Sequence, residues 1–143
     1  MFLFFLFIYN WSYFYVQAHA DTNVNIPRSL MISSGTEVTA SAPWSGRRGH
    51  TSVVHDNKIY VMGGSDDTYS YLNDIWVTTD GGSTWMLVVT STVWIERRYH
   101  TSVEYDGKVY VLGGQGDGTD LNDVWWSSDG ASWVEVTATA DWM

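Results

Sequence analysis

The strongest constraint on the fold is an internal repeat of about 50 residues. The segment 44–53 (WSGRRGHTSV) returns at 94–103 as WIERRYHTSV, and KIYVMGG at 58–64 returns at 108–114 as KVYVLGG. Further on, LNDIW at 72–76 corresponds to LNDVW at 121–125, and residues 37–44 resemble residues 135–142. Such units bury their apolar faces only by stacking on one another. We expect two complete units, the tail of one before them and the first residues of another after them.

Each unit is expected to form four short β-strands, at 51–55, 58–62, 72–78 and 84–89 in the first copy. Asp56-Asn57 and Asp106-Gly107 favour tight hairpins between the first two strands, because these residues tolerate positive φ. Strand 58–62 is apolar on both faces, which places it between two layers. Gly63-Gly64 is expected to end this strand, where a side chain would not fit.

This order of signals resembles the kelch repeat of β-propellers over about residues 37–142. The resemblance implies an all-β fold of propeller blades, each a four-stranded antiparallel sheet. It implies a lead-in at 21–36, the outer strand of a preceding blade at 37–43, and blades at 44–93 and 94–141. The markers that carry the resemblance are Arg48, His50, Gly63, Gly64, Asp74, Trp76 and Trp85, and then Arg98, His100, Gly113, Gly114, Asp123, Trp125 and Trp133.

Two blades are too few to close a propeller, which needs about 4–8. The expected architecture is therefore an incomplete propeller, and two explanations are open. The chain is either a fragment of a longer gene product or one member of a homo-oligomer that completes the ring. The stop in mid-repeat at Trp142-Met143 favours the fragment.

A second resemblance lies inside the first. Residues 78–85 (TTDGGSTW) are similar to the Asp-box hairpin found in sialidases and many other β-proteins, and 127–133 is a copy one residue shorter. In that motif the aspartate forms the turn and the tryptophan packs beneath it. The resemblance implies a structural device and no sialidase chemistry.

The first twenty residues differ in composition from the rest of the chain. They hold all five Phe and no Asp, Glu, Lys or Arg, and they end in Ala18-His19-Ala20. An apolar run before a small-x-small site predicts a signal peptide at 1–20, a mature start at Asp21 and a secreted protein without a membrane segment after cleavage. A membrane anchor and a buried first strand are the alternatives, although Asn10, Ser12 and Gln17 interrupt the run.

Charge and cysteine content exclude several kinds of partner and chemistry. A net charge of −9 repels phosphate backbones and anionic lipid, so no nucleic-acid or membrane partner is expected. The absence of cysteine excludes disulfides, thiolate metal sites and a cysteine nucleophile. No His cluster with metal spacing and no phosphate-binding glycine loop is present, so no cofactor and no metal site is expected.

Repetition separates structural positions from functional ones, because a catalytic group is needed once and a blade-building group in every blade. His50, His100 and the arginines at 47, 48, 97 and 98 recur, and we expect them to satisfy buried carbonyls and Asp74 or Asp123. The alternative is a ring of arginines that lines a central channel and binds anions. The repeated tryptophans are expected in the core.

Candidate ligand-binding residues come from the segments in which the two units differ. These are the loops 65–71 and 115–120, together with Trp126, which replaces Val77. Propeller loops of this kind commonly bind ligands, and tyrosine is a good interface anchor. The predicted set is Asp66, Asp67, Tyr69, Tyr71, Asp117, Asp120 and Trp126. A calcium ion held by the carboxylates of 117–123 is a weaker alternative.

No nucleophile, base and acid stand together in the sequence, so no catalytic residue is predicted and the chain is not expected to be an enzyme. The predicted function is a secreted kelch-repeat module that binds a protein or carbohydrate partner. The alternatives are part of a kelch-type enzyme, such as a sugar mutarotase, and an intracellular kelch adaptor. The copper radical oxidases of the kelch group need a Tyr–Cys crosslink, which this segment cannot supply.

Overall fold

The computed structural model describes residues 35–142; the predicted signal peptide at 1–20 and most of the lead-in at 21–36 lie outside the described residues. The described part contains β-strands and no helix, so it holds no helix that could span a membrane. The first blade consists of β1 (Arg47–Arg48), β2 (Thr51–His55), β3 (Lys58–Asp66), β4 (Tyr71–Thr78) and β5 (Met86–Val89). The second consists of β6 (Thr101–Tyr105), β7 (Lys108–Gly116), β8 (Thr119–Ser127) and β9 (Val134–Thr137).

Both blades are antiparallel sheets in which neighbours in sequence are neighbours in space. The second blade has the order β6-β7-β8-β9, and the first has the matching order β2-β3-β4-β5. Strand β1 pairs with the same edge of β3 as β2 does, with Arg48 opposite Ser65 and Thr51 opposite Met62. Strands β1 and β2 are thus one edge strand of the sheet, interrupted at Gly49 and His50. The prediction of an all-β fold with four-stranded blades is confirmed.

The glycine pair lies inside a strand and does not end it, so that part of the prediction is wrong. Strand β3 continues through Gly63 and Gly64 to Asp66, with a register shift between Met62 and Gly64. At Gly64 φ is +100°, and a Cβ there would lie 2.8 Å from the Arg48 carbonyl oxygen. The pair is a bulge, where the adjoining backbone comes too close for a side chain.

Two further strands differ from the sequence-based expectation. Strand β5 begins at Met86 and not at 84, because the preceding residues belong to the turn. Residues 37–43, expected to form the outer strand of a preceding blade, carry no strand. A strand needs a hydrogen-bonded neighbour, and none pairs with this segment among the described residues.

The hydrophobic core lies mainly between the two blades. It contains Tyr60, Met62, Ile75 and Val77 from the first blade, Val109, Val111 and Trp133 from the second, and Trp94 from the connection. The rings of Trp94 and Trp133 meet edge to face with centroids 5.9 Å apart. Each such fully buried side chain contributes roughly 1.5–3 kcal/mol, so the blades stabilise each other through these side chains.

The turn between the last two strands of each blade is built around an aspartate. Asp80 accepts hydrogen bonds from the Thr84 backbone N–H at 2.9 Å and the Thr84 hydroxyl at 2.7 Å. Asp129 accepts from the backbone N–H groups of Ser132 at 2.7 Å and Ala131 at 2.8 Å. These donors stabilise the charged carboxylates and lower the pKa of each aspartate to about 2.

Candidate functional site

One repeated arginine in each blade is a structural residue. The Arg47 guanidinium donates hydrogen bonds to both carboxylate oxygens of Asp74 at 2.8 and 2.9 Å and to the Gly63 carbonyl at 3.0 Å. Arg97 makes the same set with Asp123, at 2.7 Å to each oxygen, and with Gly113 at 2.9 Å. These are the contacts with buried carbonyls and aspartates that the repeat predicts.

The second arginine of each pair makes different contacts. The expectation that Arg48 and Arg98 bind buried carbonyls and aspartates is wrong. The guanidinium of Arg48 lies over the Tyr69 ring at 4.7 Å, and that of Arg98 lies over the Tyr71 and Tyr99 rings at 5.0 Å each. Neither forms a salt bridge with a carboxylate among residues 35–142. Successive residues of a strand point to opposite faces, so only one arginine of each pair can reach the buried aspartate.

Strand pairing brings these arginines and the variable loops to one end of the blades. Arg48 lies opposite Ser65, at the start of the first loop, and Arg98 lies opposite Gln115, at the start of the second. The resulting surface contains two groups of stacked arginine and tyrosine side chains, Arg48 with Tyr69 and Arg98 with Tyr71 and Tyr99. We call it the tyrosine–arginine edge, and it consists of Arg48, Tyr69, Tyr71, Arg98 and Tyr99.

The two halves of this edge meet where Arg98 lies on Tyr71, and Gln115 contacts both side chains. The Arg98 guanidinium donates to the Gln115 side-chain oxygen at 2.9 Å, and the Tyr71 hydroxyl donates to the same oxygen at 3.4 Å. Tyr99 is 63% exposed and holds a positive φ of 57°, which is uncommon for a large side chain. Tyr99 and Gln115 were not among the predicted site residues, although both differ between the repeats, where the first unit has Gly49 and Ser65.

The predicted residues of the first loop have two different roles. Asp66 Oδ1 accepts hydrogen bonds from the Thr68 backbone N–H and hydroxyl and from the Ser70 N–H, at 2.7 to 3.0 Å. The Thr68 hydroxyl is the main cause of the lowered pKa of Asp66. Asp66 therefore shapes the loop, whereas Asp67 and Tyr69 are exposed to solvent.

The predicted residues of the second blade do not all lie together. Asp117 and Asp120 are exposed at the loop between β7 and β8. Trp126 lies near the far end of β8, opposite Tyr110 and Val134, with the Lys108 ammonium 4.2 Å from its ring centroid. At about 3.3 Å per residue, Trp126 is roughly 17 Å along the strand from Leu121. It does not belong to the tyrosine–arginine edge.

Two of the three histidines of the described residues are used in packing. The His100 Nε2 atom lies 2.8 Å from the Thr51 hydroxyl, and the His55 Nε2 atom lies 3.1 Å from the Ser128 carbonyl, so both histidines join the blades. Burial lowers the pKa of His100 to about 4, and the charge of Arg97 acts in the same direction. Within residues 35–142, no three His, Asp or Glu side chains lie close enough together to hold a metal ion.

Comparison with known proteins agrees with this geometry. Residues 28–141 match the family model of the KLHDC2/KLHL20/DRC7 Kelch-repeats domain. The tRNA wybutosine-synthesizing protein 2/3/4 of Oryza sativa subsp. japonica is 39% identical over 64 residues, which are 42% of this chain and 6% of that protein. The chain thus spans a small part of this relative. Kelch domains generally bind proteins and are generally non-catalytic scaffolds. The family match and the two antiparallel blades show that this chain belongs to the Kelch-repeat family.

Proposed function

We propose that the chain is a secreted binding module that holds a protein partner on the tyrosine–arginine edge. The observation that carries the proposal is that Arg48 and Arg98 lie on tyrosine rings without a carboxylate partner in the described part of the chain. Their neighbours Arg47 and Arg97 form ion pairs with Asp74 and Asp123. The edge thus offers two guanidinium groups that no carboxylate of residues 35–142 neutralises.

The chemistry of the edge suits a polar protein segment. Arginine and tyrosine are over-represented among the residues that dominate binding energy at interfaces. Stacking on tyrosine holds each guanidinium in place before the partner arrives, which reduces the entropy lost on binding. The exposed carboxylates of Asp67, Asp117 and Asp120 flank the edge, so a partner with both acidic and basic groups complements it best.

A carbohydrate partner is the alternative within the same proposal, because the exposed ring of Tyr69 offers a flat apolar face beside polar groups. Tyr69 is 65% exposed, with Asp67 close to it in the same loop. The aspartate-centred turns at 78–85 and 127–133 support the interpretation that both segments are Asp-box hairpins with a structural role.

Secretion is proposed from the leader at 1–20. N-terminal sequencing of the protein in the medium tests it, and the sequence found should begin at Asp21.

The binding proposal is tested by presenting the folded chain to a displayed peptide library and to a glycan array. Tyr69→Ala and Arg98→Ala should each weaken a selected peptide by about tenfold or more, the loss expected for an interface anchor. Tyr105→Ala is the matched control, because this tyrosine is also exposed, at 70%, but lies at the other end of its blade. Equal loss in all three variants, or no loss at Tyr69 and Arg98, would place the binding surface elsewhere. Binding to glycans alone would assign the edge to carbohydrate.

A further inference from the structure

The chain contains four Asp-Gly pairs, at 80–81, 106–107, 117–118 and 129–130. In such a pair the backbone nitrogen of the glycine can attack the side-chain Cγ atom of the aspartate and close a five-membered succinimide ring. Glycine favours this attack because it has no side chain to hinder the approach. The four pairs share one chemistry, so a difference in their reactivity must come from the structure around each of them.

Two of the four pairs are protected by the aspartate-centred turns. Both carboxylate oxygens of Asp80 accept hydrogen bonds from hydroxyl groups, those of Thr78 and Thr84, at 2.7 Å each. The Asp129 carboxylate accepts the Ser132 backbone N–H at 2.7 Å. Ring closure needs a protonated carboxyl, whose hydroxyl leaves as water. A pKa lowered from 3.8 to about 2 reduces this protonated form by about fiftyfold near neutral pH.

The other two pairs form two-residue hairpin turns and are open to solvent. Asp106-Gly107 joins β6 to β7, and Asp117-Gly118 joins β7 to β8. Both aspartates are exposed, and no group of residues 35–142 donates a hydrogen bond to either carboxylate. A Cβ on either glycine would meet nothing within 4 Å. The φ angles are 50° and 68° in the first turn and 47° and 76° in the second, so the two turns share one backbone shape.

One carboxylate distinguishes these two open turns. Glu104 Oε1 accepts a hydrogen bond from the Gly107 N–H at 3.0 Å, and the His55 Nδ1 atom of the other blade lies 4.0 Å from the same oxygen. No side-chain oxygen of residues 35–142 accepts the Gly118 N–H. An attacking amide nitrogen has to lose its proton, and an acceptor at 3.0 Å is within the reach of a general base. The Gly107 nitrogen therefore has a base beside it, whereas the Gly118 nitrogen has none in the described part of the chain.

The corresponding turn of the first blade lacks these features. Asp56-Asn57 has nearly the same backbone shape, with φ angles of 49° and 56°, but a side chain follows the aspartate. The Lys58 ammonium donates to Asp56 Oδ2 at 2.7 Å, and this contact lowers the pKa of Asp56. In the second blade the counterpart of Lys58 is Lys108, which lies over the Trp126 ring at 4.2 Å instead. Asp106 thus has no ammonium partner within residues 35–142.

We propose that Asp106-Gly107 is a site of spontaneous backbone modification, where aspartate converts to isoaspartate in the folded chain with Glu104 as the base. The Gly107 nitrogen bonds to Asp106 Cγ while its proton passes to Glu104. The Cγ–OH bond breaks, and the hydroxyl takes the proton from Glu104 and leaves as water. A second water then attacks the Asp106 backbone carbonyl carbon and breaks its bond to the Gly107 nitrogen. The product has the original mass, and its main chain runs through Cβ and Cγ.

The modification changes the hairpin in which it occurs. It lengthens the turn between β6 and β7 by one backbone carbon, directly beside the paired residues Tyr105 and Lys108. Because a two-residue turn fixes the register of its hairpin, the modified chain should pair these two strands less stably. The proposal does not depend on the tyrosine–arginine edge, which lies at the opposite ends of these strands.

Peptide mapping of the full chain after prolonged incubation tests the proposal. Mass spectrometry detects the succinimide, which is lighter by one water, and methylation by an isoaspartyl methyltransferase detects isoaspartate. In the folded chain the 106–107 peptide should be modified about fivefold or more faster than the 117–118 peptide, and faster still than the 80–81 and 129–130 peptides. In concentrated urea all four pairs should react at similar rates. Modification at 106–107 that is no faster than at 80–81, or the same ranking in urea, would overturn the proposal.

A second variant tests the role of Glu104. Glu104→Gln keeps an oxygen that can accept the Gly107 N–H but cannot take up its proton, so modification at 106–107 should slow to the rate at 117–118. Glu96→Gln is the matched control, because it removes an exposed carboxylate elsewhere in the same blade and should leave the rate unchanged. A rate at 106–107 that Glu104→Gln does not change would contradict the assignment of Glu104 as the base.

Discussion

The Arg97 guanidinium and the Asp123 carboxylate form a two-point ion pair with both hydrogen bonds at 2.7 Å. The Arg97 side chain is fully buried, and that of Asp123 is 14% exposed. The Trp125 indole N–H also donates to Asp123, at 2.7 Å. Because each charge is buried with its partner, removing either one leaves the other without water or a counter-charge.

Arg97→Ala is therefore expected to lower the free energy of unfolding by about 3–5 kcal/mol. Arg98→Ala, at the next position, should cost about 1 kcal/mol or less, since Arg98 contributes only stacking and partly exposed hydrogen bonds. Urea denaturation of both variants measures the difference. Equal losses would mean that the two arginines share the structural role.

His100 makes stability depend on pH between about 6.5 and 4. An unfolded histidine has a pKa near 6.5, whereas burial lowers the pKa of the folded His100 to about 4. The unfolded chain thus binds more protons in this range, and the free energy of unfolding should fall as the pH drops from 6.5 towards 4. His100→Gln should flatten this part of the profile. His50→Gln should change it less, because burial also lowers the pKa of His50 but by a smaller amount. An NMR titration that gave the His100 ring a pKa near 6.5 would contradict the assignment.

The aspartate-centred turns act at lower pH. Backbone N–H donors, first that of Ser132, lower the pKa of Asp129 from 3.8 to about 2. The stability from this carboxylate is present above pH 3.8 and is lost as the pH falls through about 2. Urea denaturation at pH 6 and at pH 2.5 measures the loss of stability between these pH values, and Asp129→Asn should make this loss smaller. Asp117→Asn, in an exposed loop, is the control for the loss of one surface charge.

Two tryptophans at corresponding positions of successive repeats should differ in energetic importance. Trp94 is 1% exposed and packs edge to face on Trp133, whereas Trp142 is 54% exposed. Trp94→Ala should cost about 3–5 kcal/mol through a cavity between the blades. Trp142→Ala should cost less than about 1 kcal/mol in dilute protein. Thermal and urea unfolding at low protein concentration measure the loss of stability in each variant. Similar losses would show that Trp142 is packed in solution.

The repeat alone was enough to predict the blades. Turn residues such as Asp56-Asn57 and the apolar residues of 58–62 act over a few positions, so the hairpins and strand order followed from the sequence. The structure of the glycine pair could not be predicted from the sequence, because glycine is found both at the end of a strand and in a bulge. The choice depends on the Arg48 carbonyl, which approaches Gly64 across the sheet.

The candidate site was predictable only in part. The loops 65–71 and 115–120 were recognised because they differ between the repeats. The sequence did not show that the Asp66 carboxylate binds the backbone of its own loop, and its role in ligand binding stays a prediction. Trp126 lies away from these loops, which a difference between the repeats could not show, and its role in ligand binding stays a prediction.

The sequence by itself determined the repeated strands, the tight turns and the family, because these depend on patterns within a few residues or on a copy of the same pattern. Only the tertiary structure decided that Arg97 is buried against Asp123 while Arg98 lies on tyrosines, and that His55 contacts the Ser128 carbonyl of the other blade. The physical reason is that burial and charge pairing are properties of surfaces brought together from distant parts of the chain. The two repeats are similar in sequence, yet within residues 35–142 His55 is 8% exposed and its counterpart Tyr105 is 70% exposed.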